Sequence, residues 1–130
     1  MLDETAKGVF TIAVTPFLPD GALDLSSIDS MVDFYEEKGA TGLTILGMMG
    51  EAGKLSAEES VEVVSRVTAR ASVPVVVGVS APGLAAIGAL AKTAMDKGAA
   101  GVMVAPQGGL KSDDQILGYF ANVAETLGDI

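Results

Sequence analysis

Four short apolar runs, rich in β-branched residues and glycine, alternate along the chain with four longer segments whose apolar residues recur at helical spacing. The runs are Val9–Val14, Gly42–Leu46, Val75–Val79 and Val102–Ala105. Each is too short and too continuous for an amphipathic helix, so the pattern predicts strands of a buried parallel sheet. Between the first two strands, Leu18-Pro19-Asp20-Gly21 is a turn by its chemistry. Proline fixes φ, aspartate bonds nearby backbone, and glycine accepts a positive φ.

The first helical segment starts near Asp24 to Ser27 and places Leu25, Ile28, Met31, Val32 and Tyr35 on one face. Lys38 suits the negative end of its dipole, and Gly39 ends it. The second opens with Ser56-Ala57-Glu58-Glu59 and the fourth with Ser112-Asp113-Asp114-Gln115. Both fit a capping box, in which the serine and the residue three positions on satisfy each other's backbone donors. Ile116, Phe120, Val123, Ala124 and Leu127 are expected on the inner face of the fourth helix. The third segment, Leu84 to Asp96, is alanine-rich and contains Gly88, which predicts a closely approaching neighbour.

Lys38-Gly39-Ala40-Thr41-Gly42-Leu43 is echoed by Lys97-Gly98-Ala99-Ala100-Gly101-Val102, each copy joining a helix end to a strand start. Repeated βα units with short returns imply parallel strands joined by right-handed crossovers. The sheet is then either open and doubly wound, or part of a β/α barrel.

With 130 residues the chain makes one domain at most, residues 1–130, which can bury roughly 68–70% of its unfolded surface. Its net charge of −9 and eight scattered basic residues leave no stripe to neutralise phosphates, so no nucleic-acid partner is expected. No apolar run approaches the ~20 residues that span a bilayer, and Met-Leu-Asp-Glu-Thr at the start lacks a signal peptide's apolar core. The chain reads as a soluble, cytoplasmic protein without a membrane partner. It contains no histidine and no cysteine, which excludes Ser-His-Asp triads, Cys-His pairs and the usual zinc sites.

The chemistry must therefore sit on backbone and on scattered side chains. The segment Gly47-Met48-Met49-Gly50-Glu51 follows the second strand, at the edge where α/β folds build their sites. It is not a P-loop, because Gly53 comes one residue too late after Gly47 and Leu55 stands where a Ser or Thr would hold Mg²⁺. It is either an anion cradle, with the amides of Met48, Met49 and Gly50 facing a carboxylate, or a tight turn whose glycines only permit the geometry. Glu51 is a candidate general base or a loop carboxylate bonded to nearby amides. Lys54 and Lys111 could attract an anion or be solvated, and Tyr119 suits a snorkelling surface or interface position. Thr15 could hydrogen-bond across the strand ends or cap its own turn.

Gly8, Thr15-Pro16-Phe17, Asp20-Gly21, Gly42-Leu43, Gly47-x-x-Gly50-Glu51, Leu55-Ser56, Glu59, Pro74-Val75 and Val104-Ala105-Pro106 occur in one order and spacing. As a set they resemble the dihydrodipicolinate synthase / N-acetylneuraminate lyase family. The resemblance implies a (β/α)₈ TIM barrel, of which this chain covers about the first four βα units, a half barrel. It implies a class I aldolase or lyase that forms a lysine Schiff base with pyruvate or a related 2-oxo acid.

Aldol addition, retro-aldol cleavage and dehydration all fall within that chemistry, with no separate cofactor and no metal. The expected partners are a small 2-oxo acid and either further copies of the chain, as a dimer or tetramer, or a complementary half barrel. The substrate-binding set implied is Gly47, Met48, Met49, Gly50, Glu51, Thr15 and Ile12. Met48 and Met49 fall where the family carries two threonines that bind the substrate carboxylate, which leaves their amides for that role. Gln107-Gly108 replaces a tyrosine pair of the synthase's proton relay, and Ile12 replaces an alanine. Ile12 would narrow the pocket floor, while the missing relay pair and the methionine swap point away from the namesake reaction. No catalytic residue is expected within the chain, because the imine lysine and a tyrosine belong on the sixth and fifth strands, beyond Ile130. A barrel takes ~250 residues, and half of one leaves an apolar inner face and two unpaired edges.

Overall fold

In a computed structural model, which describes residues 2–130, four strands and four long helices alternate. They are β1 (Phe10–Ile12), α1 (Leu25–Glu37), β2 (Gly42–Ile45), α2 (Ala57–Arg70), β3 (Val75–Gly78), α3 (Leu84–Asp96), β4 (Gly101–Met103) and α4 (Asp113–Leu127). All strand pairs are parallel, in the order β1-β2-β3-β4. Right-handed crossovers that step one way along a sheet leave every helix on the same face. That is the curl of half a barrel. Successive helices accordingly pack in sequence, α1 on α2, α2 on α3 and α3 on α4.

The core fills the space between sheet and helices: Leu43, Ile45, Val77 and Val79 meet Ile28, Val32, Val64, Val67, Ile87 and Ala91, all buried. Among the described residues no helix covers the opposite face of the sheet. There the alternation of β1 leaves Ile12 and Val14 exposed beside buried Ala13, and Met103 of β4 is also exposed.

Helix starts follow their caps. Asp24 accepts from the Ser27 amide, and both capping boxes form, Ser56 with Glu59 and Ser112 with Gln115. The echoed motif makes one joint twice: Gly39 and Gly98 have φ of +88° and +90°, and the amides of Ala40 and Ala99 reach back to Tyr35 O and Ala94 O, each at 3.0 Å. These are Schellman exits, which require the left-handed residue that glycine supplies. The returns 38–41, 71–74 and 97–100 are each four residues long. Gly88 meets the expected neighbour, since a Cβ there would lie 3.2 Å from Thr126 Cγ2 of α4.

Several expected boundaries shift. β1 spans Phe10–Ile12 rather than Val9–Val14, although the Ala13 amide adds one further bond to Thr44 O. As an edge strand it has one neighbour only, and pairing stops where β2 turns away. β2 ends at Ile45 because Leu46 adopts φ +54°. β4 is Gly101–Met103 rather than Val102–Ala105; the Ala105 amide donates to Ser80 Oγ instead of a ladder carbonyl. The inner face of α4 is rotated from the expected one: Tyr119, Val123 and Leu127 pack on the core, whereas Phe120 and Ala124 are exposed. A 3₁₀ turn at Ala52–Lys54, absent from the sequence reading, links the β2 loop to α2.

Across the helix layer, α1 is joined at three levels to α2 and the return that follows it. Arg66 grips Asp29 with two bonds of 2.8 and 2.7 Å, Arg70 grips Asp33 in the same bidentate way, and Ser72 donates twice to Glu36. Those hydrogen bonds hold all three carboxyls below the ordinary carboxylate range.

Candidate functional site

The loop after β2 is held between two non-glycine residues in the left-handed region, Leu46 at φ +54° and Glu51 at φ +52°. Such conformations persist only where surrounding structure enforces them. Here the enforcement is visible. The Gly50 amide donates to Gly47 O and the Glu51 amide to Met48 O, each at 3.1 Å, making two overlapping turns. Thr15 Oγ1 donates to Gly50 O at 2.6 Å in a buried contact, so of its two expected roles it takes the bond across strand ends. Gly50 sits tightly against the turn, since a Cβ there would lie 3.2 Å from the Leu46 amide nitrogen and 3.3 Å from Ala13 O. On the other side Gly78 of β3 gives the loop room: a Cβ there would fall 2.2 Å from Leu46 O.

The turns divide the loop's amides. Gly50, expected to face a ligand, is engaged with Gly47 O. No acceptor among the described residues takes the N–H of Met48 or Met49. Both side chains project outward, 93% and 60% exposed. Ile12 lies beneath them on the inner face of the sheet. The point where a Gly47 Cβ would sit is 3.6 Å from Ile12 Cγ2 and 3.8 Å from Met103 Cε, so both side chains border the glycine.

The carboxylate of Glu51 is tied to Lys54 in an exposed ion pair, not to loop amides. Lys111 is exposed at the start of α4, far along the chain from the β2 loop. Tyr119, half-buried, donates its hydroxyl to Ala105 O at 3.2 Å. Gln107 Nε2 donates to Pro82 O at 2.7 Å and to Ala81 O at 3.3 Å. With Ser80, these bonds fasten the loops after β3 and β4 to each other. Sequence reasoning passed over Met103 and Ser80. Strand alternation, which sets Met103 on the face opposite to Val102, was a usable signal for Met103, whereas nothing local marks Ser80.

A cleft of about 370 Å³ lies between α2 and α3, lined by Leu55, Ser56, Ser60, Ser80 and Leu90 among others. The hydroxyls of Ser56 and Ser60 there serve the first turns of α2. No helix among the described residues is long and apolar enough to cross a membrane.

Four parallel βα units with their candidate site at the C-terminal strand ends define half of a (β/α)₈ barrel. The family model for the Dihydrodipicolinate synthetase family matches residues 5–129, and the chain belongs to that family. It is 39% identical over 101 residues to a 4-hydroxy-tetrahydrodipicolinate synthase of Sorangium cellulosum, covering 75% of this chain and 34% of that one. The crystal structure of dihydrodipicolinate synthase from Rhodopseudomonas palustris superposes with a TM-score of 0.94 at 51% identity, over 98% of this chain and 43% of that one. The chloride-inhibited synthase from Acinetobacter baumannii, complexed with pyruvate, gives a TM-score of 0.83 at 27% identity over 93% of this chain and 43% of its own. The chain thus spans well under half the length of these relatives.

Proposed function

We propose that this chain forms the first four βα units of a Schiff-base lyase or aldolase acting on pyruvate or a related 2-oxo acid. Its part is to seat the substrate carboxylate in the loop Gly47–Glu51. The observation that carries this reading is the pair of unengaged amides at Met48 and Met49, at the mouth of a fold whose A. baumannii relative was solved with pyruvate. Two adjacent N–H donors suit a carboxylate, particularly in a chain of net charge −9 whose nearby Lys54 is already paired. Thr15, bonding Gly50 O, holds the turn that directs them.

The amine that attacks the keto carbon and expels water to form the imine comes from the complementary half, as does the proton-transferring tyrosine. Gln107, fastened to Ala81 and Pro82, stands in place of a relay tyrosine, so the reaction is a 2-oxo acid lyase reaction other than the synthase's own. The test is borohydride trapping with pyruvate of this chain mixed with the complementary half of the R. palustris relative. A trapped adduct on the complementary half alone is expected. An adduct on Lys54 or Lys111, or none in the assembled barrel, overturns the reading.

The exposed inner face and the unpaired β1 and β4 edges favour one second reading, a non-catalytic half barrel that closes with another copy of itself. Sedimentation decides it, since a folded monomer at low concentration refutes the dimer.

A further inference from the structure

The rim around the proposed carboxylate seat has a chemical bias of its own. Most of its polar side-chain donors are engaged with the protein: Thr15 with Gly50 O, Gln107 Nε2 with the carbonyls of Ala81 and Pro82, Tyr119 with Ala105 O, and Lys54 with Glu51, while Ser80 accepts from the Ala105 amide. The largest side chains turned to the open side are apolar. Met48 and Met49 project from the loop, and Ile12 and Met103, 51% and 40% exposed, border Gly47. Strands added at the β1 and β4 edges would pair through their backbones at sheet level. Met48 and Met49 lie past the end of β2, above that level, while Ile12 and Met103 lie on the strands themselves.

We propose that this mouth selects a 2-oxo acid whose chain beyond the keto carbon is aliphatic or aromatic, with Ile12, Met48, Met49 and Met103 as the specificity-determining contacts. The proposal rests on the carboxylate seat described above. A polyhydroxylated or dicarboxylic substrate would find few hydrogen-bond partners among these four side chains and would leave polar groups of its own unpaired. Thioether side chains are flexible and polarisable, and adapt to an apolar group of irregular shape.

The six methionines make the test direct. The chain is labelled at backbone nitrogen and at methionine methyl carbons, then titrated with pyruvate, 2-oxobutanoate, 2-oxopentanoate, 4-methyl-2-oxopentanoate and 2-oxoglutarate. The Met48 and Met49 amides report the carboxylate. The Met48, Met49 and Met103 methyls report the tail, and those of Met31 on α1 and Met95 on α3 serve as controls.

Affinity is expected to rise about fourfold per added methylene, the transfer free energy of a buried CH₂. Mouth methyls should shift while control methyls stay fixed. Replacing both loop residues, Met48→Thr with Met49→Thr, should flatten the chain-length series, with unchanged Met31 and Met95 signals confirming the fold. Amide shifts that are equal for all ligands, or tightest binding of 2-oxoglutarate, overturn the selectivity while leaving the seat intact. Absence of any amide shift, pyruvate included, overturns the seat and the selectivity with it.

Discussion

Replacing Gly78 with alanine tests whether the β2 loop is set by backbone contact with β3. The added Cβ would lie 2.2 Å from Leu46 O, 2.8 Å from Leu46 C and 3.2 Å from the Gly47 nitrogen. A carbon and a carbonyl oxygen approach comfortably to about 3.3 Å. The two backbones must therefore part by roughly 1 Å. Neither can move freely: Val77 and Val79 beside Gly78 are fully buried, and Leu46 is 3% exposed. The obstacle is backbone and not the tip of a side chain, so the upper end of the usual overpacking cost applies, about 3 kcal/mol.

With a urea m-value of about 1.5 kcal/mol/M, that lowers the unfolding midpoint by about 2 M. Gly83→Ala is the control, because its Cβ meets nothing within 4 Å and its φ is negative. Urea unfolding followed by circular dichroism measures both. A Gly78→Ala midpoint within 0.3 M of wild type, an estimate of the resolution of such extrapolations, would refute the close-contact account of the loop.

Thr15→Val removes the donor to Gly50 O and leaves a buried carbonyl unsatisfied, a loss of about 1–3 kcal/mol in urea unfolding that Thr15→Ser should largely restore. Gly118→Ala, in the interior of α4 with no atom within 4 Å of the new methyl, is expected to stabilise by about 0.8–1 kcal/mol in the same assay. Asp29, Asp33 and Glu36 have folded pKa values lowered by their hydrogen bonds, so the stability they contribute is complete above the ordinary carboxylate range, about pH 4, and is lost as pH falls through the lowered values. Hydrogen exchange during acid titration should show protection falling at the α1–α2 contact below about pH 4, and Asp29→Asn with Asp33→Asn should remove most of that pH dependence.

The helices were legible because their signals are local. Ser56 with Glu59, Ser112 with Gln115, and the two Lys-Gly-Ala exits each fix a terminus within four residues. Strand ends were less so, since β1 and β4 are edges whose length depends on a neighbour, and Ser80 captures the Ala105 amide from 25 residues away. Periodicity placed Phe120 inside α4, but Tyr119 won that position by reaching Ala105 O, a bond no helical wheel contains. At the site, the position of the loop followed from glycine spacing. Which of its amides stay unengaged did not, because Gly50 is claimed by Gly47 O only once Thr15 and Leu46 have set the turn.

The three four-residue returns have a consequence for how such a chain can change length. One residue inserted at 38–41 or 97–100 would shift β2 or β4 by a position and send every side chain of that strand to the opposite face. The loops at the other ends of the strands, 13–24, 46–56, 79–83 and 104–112, already differ in length, and of these 46–56 is pinned by its contacts with Thr15 and Gly78. Length changes are therefore absorbed more readily at the rim bearing Met48 and Met49, while the opposite rim keeps the strands in phase.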